Sequence, residues 1–181
     1  GYTFDGWTKS ADVTVYKTGT ANTSFAMPDS DVTLTANWTA IDYNVTYDDN
    51  TTDTVTGMPS PLTSSHGTDS TVSISTSEPA RDGYTFGGWT TSFDANTYDK
   101  DDATYDEFTM PAEAVTLTAV WNAVDYNVTY DDNTTDTVTG MPSPLTSSHG
   151  TDSTVSISAS EPSRTGYTFG GWTSSFDANT Y

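Results

Sequence analysis

Apolar and polar positions alternate in several short stretches of the chain. Val32, Leu34, Ala36 and Trp38 alternate with Thr33, Thr35 and Asn37. The same order recurs at Val115, Leu117, Ala119 and Trp121. A period of two predicts a strand with one buried face. Tyr43, Val45 and Tyr47 alternate with Asn44 and Thr46, and Tyr126, Val128 and Tyr130 repeat the pattern. Val72 and Ile74 predict a further short strand. Tyr84 and Phe86 share a face before Gly87-Gly88, where glycine permits a bulge or a close backbone approach. Between these stretches, Thr51–Gly57 reads as extended without a fixed face. Met58–Gly67, with two prolines, reads as loop. Glu78–Gly83 reads as a turn, and Phe93–Asp106 as an acidic polar segment. Phe108-Thr109-Met110-Pro111 turns into the last strand. No long helical period exists, and Ala112–Ala114 is the one candidate for a single helical turn.

The pattern is periodic on a larger scale. Ala40–Tyr98 is written again as Ala123–Tyr181, 83 residues on, with five mild differences. Gly1–Trp7 matches Gly83–Trp89 and Val32–Trp38 matches Val115–Trp121. A long fixed period means an array of units. The array divides into the C-terminal part of a repeat (1–39), a complete repeat (40–122) and the N-terminal part of a third (123–181). Only Asn122–Asp125 separates the strand patterns of adjacent repeats, which predicts an elongated, semi-rigid rod. The chain opens and closes within a repeat, so the array is expected to continue. A repeat of about 80 residues buries only a small core. Its aromatic side chains supply much of the buried area. Tyr43, Tyr47, Phe86, Trp89, Leu117 and Trp121 are the expected structural core.

The chain has 25 acidic and 5 basic side chains among 181 residues, a formal net charge of −20. Such a surface repels polyanions, so nucleic acid and anionic membrane are poor partners. Cysteine is absent, which removes disulfides, thiol nucleophiles and cysteine zinc sites. No apolar run reaches membrane-spanning length, so no membrane insertion is expected.

Candidate chemistry is sparse. His66 and His149 occupy equivalent Ser/Gly-rich stretches and are expected to be exposed loop residues, because a nucleophilic triad needs a held geometry. Asp48, Asp49, Asn50 and Asp53 form one oxygen-rich cluster, and Asp99, Asp101, Asp102 and Asp106 another. Oxygen donors suit calcium, but neither cluster has the central Gly and terminal Glu of a calcium loop. Solvated acidic turns are the expectation, with no metal site and no cofactor. Asn-x-Ser/Thr acceptors for N-glycosylation stand at Asn22, Asn37, Asn44, Asn50, Asn127 and Asn133. Asn37 and Asn44 face away from the apolar side of their strands and should be exposed. Lys100 is the complete repeat's only lysine and lies in an acidic run, which argues against an internal isopeptide cross-link.

Gly83-Tyr84-Thr85-Phe86-x-Gly88-Trp89, Met110-Pro111, Val115–Trp121 and Tyr126-x-Val128-x-Tyr130 occur in that order. Gly1–Trp7, Met27-Pro28 and Val32–Trp38 repeat the set, and Glu78-Pro79 precedes the second copy. Together these resemble the Listeria–Bacteroides repeat, the internalin-type B repeat, over the whole chain. The resemblance implies a mostly β fold of tandem, small β-grasp-like modules with a mixed sheet. It implies a structural spacer or stalk in a large secreted or cell-surface protein, extracellular and possessing no catalytic residues. An adhesion module that binds carbohydrate or protein is the alternative, and an extracellular fibre is a further expectation. The partners implied are neighbouring repeats of the same protein. Two arrangements would complete the partial repeats: covalent neighbours in a longer array, or head-to-tail homo-oligomeric assembly, in which the strand 126–130 of one molecule meets 32–38 of another.

Overall fold

A computed structural model describes residues 1–10, 13–177 and 179–181. Every regular element among the described residues is a strand. The first repeat contributes β1 (Tyr2–Lys9), β2 (Val15–Tyr16) and β3 (Leu34–Ala40). The middle repeat begins with β4 (Asp42–Asp48), β5 (Val55–Thr56), β6 (Thr63–Gly67), β7 (Thr71–Ser73) and β8 (Ala80–Arg81). It continues through β9 (Tyr84–Thr91), β10 (Thr97–Tyr98), β11 (Glu107–Thr109) and β12 (Val115–Ala123). The last repeat adds β13 (Asp125–Thr129) and β14 (Thr146–Gly150). Compact packing divides the chain into one unit of residues 1–81 and 86–121 and a second of 82–85 and 122–181.

The first unit holds the complete mixed sheet, in the order β10-β9-β12-β4-β6. β12 runs parallel to β4 with Val115 beside Val45 and Leu117 beside Tyr47. β6 is antiparallel to β4, and β7 pairs with β11 in a small second sheet. The inward side chains of both sheets meet in one core of Val45, Val72, Ile74, Trp89, Leu117 and Val115, closed by Tyr98, Phe108, Met110 and Ala119. Trp89 is 1% exposed and Leu117 fully buried. Tyr43, Tyr47, Phe86 and Trp121 are half-buried and pack against that core. Gly88 makes the tight packing feasible. Its φ is +94°, and a Cβ there would lie 2.8 Å from the Tyr98 carbonyl oxygen.

The same unit also carries the first repeat's sheet, β2-β1-β3. β1 and β3 are antiparallel, and their register shifts between Phe4 and Gly6, a bulge at the glycine equivalent to Gly88. The second unit holds the β13–β14 pair, whose register copies that of β4 with β6.

Several sequence expectations change. Thr63–Gly67 is a strand within the stretch read as loop, and Ala80–Arg81, read as turn, pairs with Val55–Thr56. Ala112–Ala114 forms no helical turn. The apolar face of the first repeat's closing strand is open, with Leu34 41% and Trp38 59% exposed.

Candidate functional site

Aromatic triads are the feature that all three repeats build. In the middle repeat Phe86 packs edge-on against Trp89 (5.1 Å) and Trp121 (5.6 Å), and Trp89 against Tyr47 (4.8 Å). The first repeat has the equivalent Phe4–Trp7 and Phe4–Trp38 contacts at 5.2 and 5.3 Å. The last repeat has Phe169–Trp172 and Tyr130–Trp172 at 5.1 and 4.7 Å. Edge-to-face geometry of this kind is favourable beyond area burial. Sequence position alone makes the sets equivalent, but burial does not. Trp7 is 42% exposed, where Trp89 is sealed. Phe4, Trp7, Tyr16 and Phe25 line an open depression of about 340 Å³ in the first repeat, and the Lys9 ammonium lies 5.5 Å from the Phe25 ring centre.

The acidic clusters organise turns. Asp48 Oδ1 accepts the Asn50 N–H at 2.7 Å, and Asp99 and Asp102 each accept the backbone N–H two residues on, both at 2.9 Å. Asp53 pairs with Arg81, and Asp136 with Arg164, both at 2.5 Å. Among the described residues, no three His, Asp or Glu side chains are placed to hold a metal ion. Lys100 pairs with Glu78 at 2.8 Å and Asp101 at 2.6 Å, and these carboxylates hold its ammonium well above the usual lysine range.

A further carboxylate, outside both acidic clusters, is the hub of a loop. Asp94 accepts the hydroxyls of Thr91 (2.5 Å) and Tyr98 (2.8 Å) and the Asn96 amide (2.8 Å). Burial raises its pKa, but the hydrogen bonds from Thr91, Tyr98 and Asn96 outweigh that and lower it. Asp177 repeats the hub, accepting from Ser174, Tyr181 and Asn179. These bonds, the Ser174 hydroxyl foremost, hold it down at about 2. The signal lies in the shared spacing of Thr91/Ser174, Asp94/Asp177, Asn96/Asn179 and Tyr98/Tyr181.

His66 and His149 sit half-buried on β6 and β14 rather than in exposed loops. Each shares a hydrogen bond with the serine two residues earlier on the same strand face, Ser64 at 2.8 Å and Ser147 at 2.7 Å. Of the glycosylation acceptors, Asn22, Asn44, Asn50, Asn127 and Asn133 are exposed. Asn37 is not: β1 brings Thr8 beside it, and its amide donates to the Thr8 hydroxyl at 2.8 Å. The Asn50 amide is also engaged, on the Ala119 carbonyl at 3.1 Å.

The recurring strand register and aromatic triads define one repeat type. The divergent InlB B-repeat domain matches residues 1–42 and 43–125, and the Listeria–Bacteroides repeat domain matches 126–181. The chain belongs to the InlB B-repeat family. Its B repeats are 33% identical, over 178 residues, to part of a protein of Evansella cellulosilytica described as a Gly-rich membrane protein. That alignment covers 95% of this chain and 19% of the relative, so the chain spans about a fifth of that protein's length. No solved structure matches the B-repeat chain. Among the described residues no helix is long and apolar enough to cross a membrane.

Proposed function

We propose that these B repeats are a non-catalytic stalk or spacer segment of a large cell-surface protein, with recognition carried elsewhere on the parent molecule. The observation that supports this is where the aromatic side chains go. In the complete repeat, Trp89 is 1% exposed, and Phe86, Tyr47 and Trp121 pack around it, so the rings that would form a stacking platform serve the repeat's own core. The acidic clusters are likewise committed to turns and ion pairs. Family membership and the membrane-protein name of the Evansella relative support an extracellular, surface-attached setting.

The adhesion reading has one observation in its favour, the aromatic depression around Trp7 and Tyr16. Exposed rings in a concavity suit sugar or peptide recognition. A glycan array probed with the labelled chain separates the two readings. No retention is expected. Saturable retention that disappears in Trp7→Ala overturns the spacer assignment. Labelling of intact cells with an antibody to the repeats tests the surface setting, and signal only after lysis overturns it.

A further inference from the structure

The Gly-Tyr pairs that open β1 and β9 are held by the repeat that follows them. Residues 82–85, at the head of β9, group with 122–181 in the second unit, apart from the rest of the middle repeat. Their holder is the turn after β14. The Ser153 N–H bonds the Gly150 carbonyl at 3.0 Å and closes that turn, with Thr151 and Asp152 at its tip. The Thr151 hydroxyl lies 2.8 Å from the Gly83 carbonyl and 3.0 Å from the Val124 carbonyl. The Asp152 carboxylate accepts the Tyr84 hydroxyl at 2.7 Å. The Val124 N–H adds a bond to the Gly83 carbonyl at 2.9 Å. Gly83 has φ +78°, and a Cβ there would lie 2.6 Å from Thr151 Cγ2, so glycine is what lets the turn close on it.

The turn after β6 is built in the same way within the first unit. The Ser70 N–H bonds the Gly67 carbonyl at 3.0 Å, and the Ile41 N–H bonds the Gly1 carbonyl at 2.8 Å. Asp69 accepts the Tyr2 hydroxyl at 2.5 Å. Both aspartates stand in the left-handed region, Asp69 at φ 63° and Asp152 at φ 61°. Glycine suits that backbone best, and aspartate tolerates it. A backbone outlier of this kind points to a role for the side chain. Here each carboxylate supplies a charge-assisted acceptor that glycine lacks.

We infer that this Gly-Tyr capture couples the stabilities of successive repeats, and that each captured tyrosine stabilises the repeat after its own. In a tandem array, stability is a sum of repeat terms and nearest-neighbour terms. The Tyr–Asp bond and the bonds to the glycine carbonyl are such a neighbour term, written into the sequence as Gly-Tyr in one repeat and Thr-Asp in the next. The coupling holds for a spacer and for an adhesin alike.

Amide hydrogen exchange on the intact chain tests the capture. The Tyr130 N–H, bonded to the Leu145 carbonyl at 2.9 Å, reads the last repeat away from the turn. The Ile74 N–H, bonded to the Asp106 carbonyl at 2.8 Å, reads the middle repeat. Tyr84→Phe deletes one hydroxyl and is expected to speed Tyr130 exchange roughly five-fold. Ile74 is expected to stay unchanged, although Tyr84 belongs to the middle repeat by sequence. Tyr2→Phe is expected to do the reverse, speeding Ile74 and leaving Tyr130 alone. Asp152→Gly keeps the left-handed turn and removes the acceptor, so adding Tyr84→Phe to it is expected to have no further effect. The inference is overturned if Tyr84→Phe speeds Ile74, changes nothing, or speeds only Val124 and Thr151 beside the turn. It is equally overturned if the full effect of Tyr84→Phe persists alongside Asp152→Gly.

Discussion

At the residue scale, Trp89 and Gly88 act as one device. The left-handed glycine lets the chain approach Tyr98 closely, and the next residue drops its indole into the core between Tyr47 and Phe86. Trp89→Ala is expected to cost about 3–5 kcal/mol through lost burial and the cavity left behind. Denaturant melts of the middle repeat's signals check this. Gly88→Ala is expected to destabilise as well, since both φ and the 2.8 Å approach oppose a Cβ. The loop hubs respond to acid. The Asp177 pKa is depressed from 3.8 to about 2 in the folded chain. Its ionised form therefore favours folding above about pH 3.8, and that contribution disappears as pH falls towards 2. Asp94 is depressed too, so its contribution has the same sign. Carboxyl carbon NMR titration is expected to place the Asp177 midpoint near 2. Ser174→Ala should move it up, and an unchanged midpoint would show that the Ser174 hydroxyl is not the main cause.

At the element scale, legibility in the sequence followed side-chain contrast. β4 and β12 alternate large apolar residues with Thr and Asn, and their apolar residues face the core as read; β3 has the same alternation, but its Leu34 and Trp38 are exposed and its Asn37 is engaged by Thr8. β6 is Thr-Ser-Ser-His-Gly, an edge strand with no large apolar residue, and what defines it is the ladder to β4. β8 is two residues long and exists through its pairing with β5. Tyr98, Phe108 and Met110 are all buried, yet their spacing follows neither a strand nor a helix period, because they enter the core from loops and short strands. The repeat's start carries a clamp that the sequence did not announce. The Thr68 hydroxyl donates to the Ile41 carbonyl at 3.0 Å, and Tyr2 bonds Asp69 at 2.5 Å. In the second unit Thr151 reaches the Gly83 and Val124 carbonyls at 2.8 and 3.0 Å, and Tyr84 bonds Asp152 at 2.7 Å. Thr68→Val keeps the shape of a buried side chain and deletes its hydrogen bond, with an expected loss of about 1 kcal/mol. Thermal melts of Thr68→Val and Thr151→Val check it. Wild-type melting in both would leave the hydroxyls without a structural role.

At the scale of the whole molecule, charge is the dominant global term. Twenty-five carboxylates face five cations, and the ion pairs of Lys17, Arg81, Lys100 and Arg164 neutralise only a minority of them. The carboxylate partners in those pairs are largely solvent-facing, which limits what each pair contributes. The remaining carboxylates repel one another in the folded chain more than in the expanded one, which opposes compaction. Salt screens this repulsion over a Debye length that shrinks from about 30 Å at 0.01 M to about 3 Å at 1 M. It also weakens the few surface pairs, but repulsive pairs far outnumber them. The melting temperature is therefore expected to rise between low and molar sodium chloride. Potassium chloride should act equally, because screening depends on ionic strength and not on a bound ion. Mild acid is expected to act in the same direction until, below about pH 3.8, the contribution of the Asp177 hub begins to disappear, and the depressed Asp94 acts with the same sign. Scanning calorimetry across both axes tests the balance. A melting temperature that falls with salt at neutral pH would mean that the ion pairs, and not the unpaired carboxylates, govern the electrostatics of the fold.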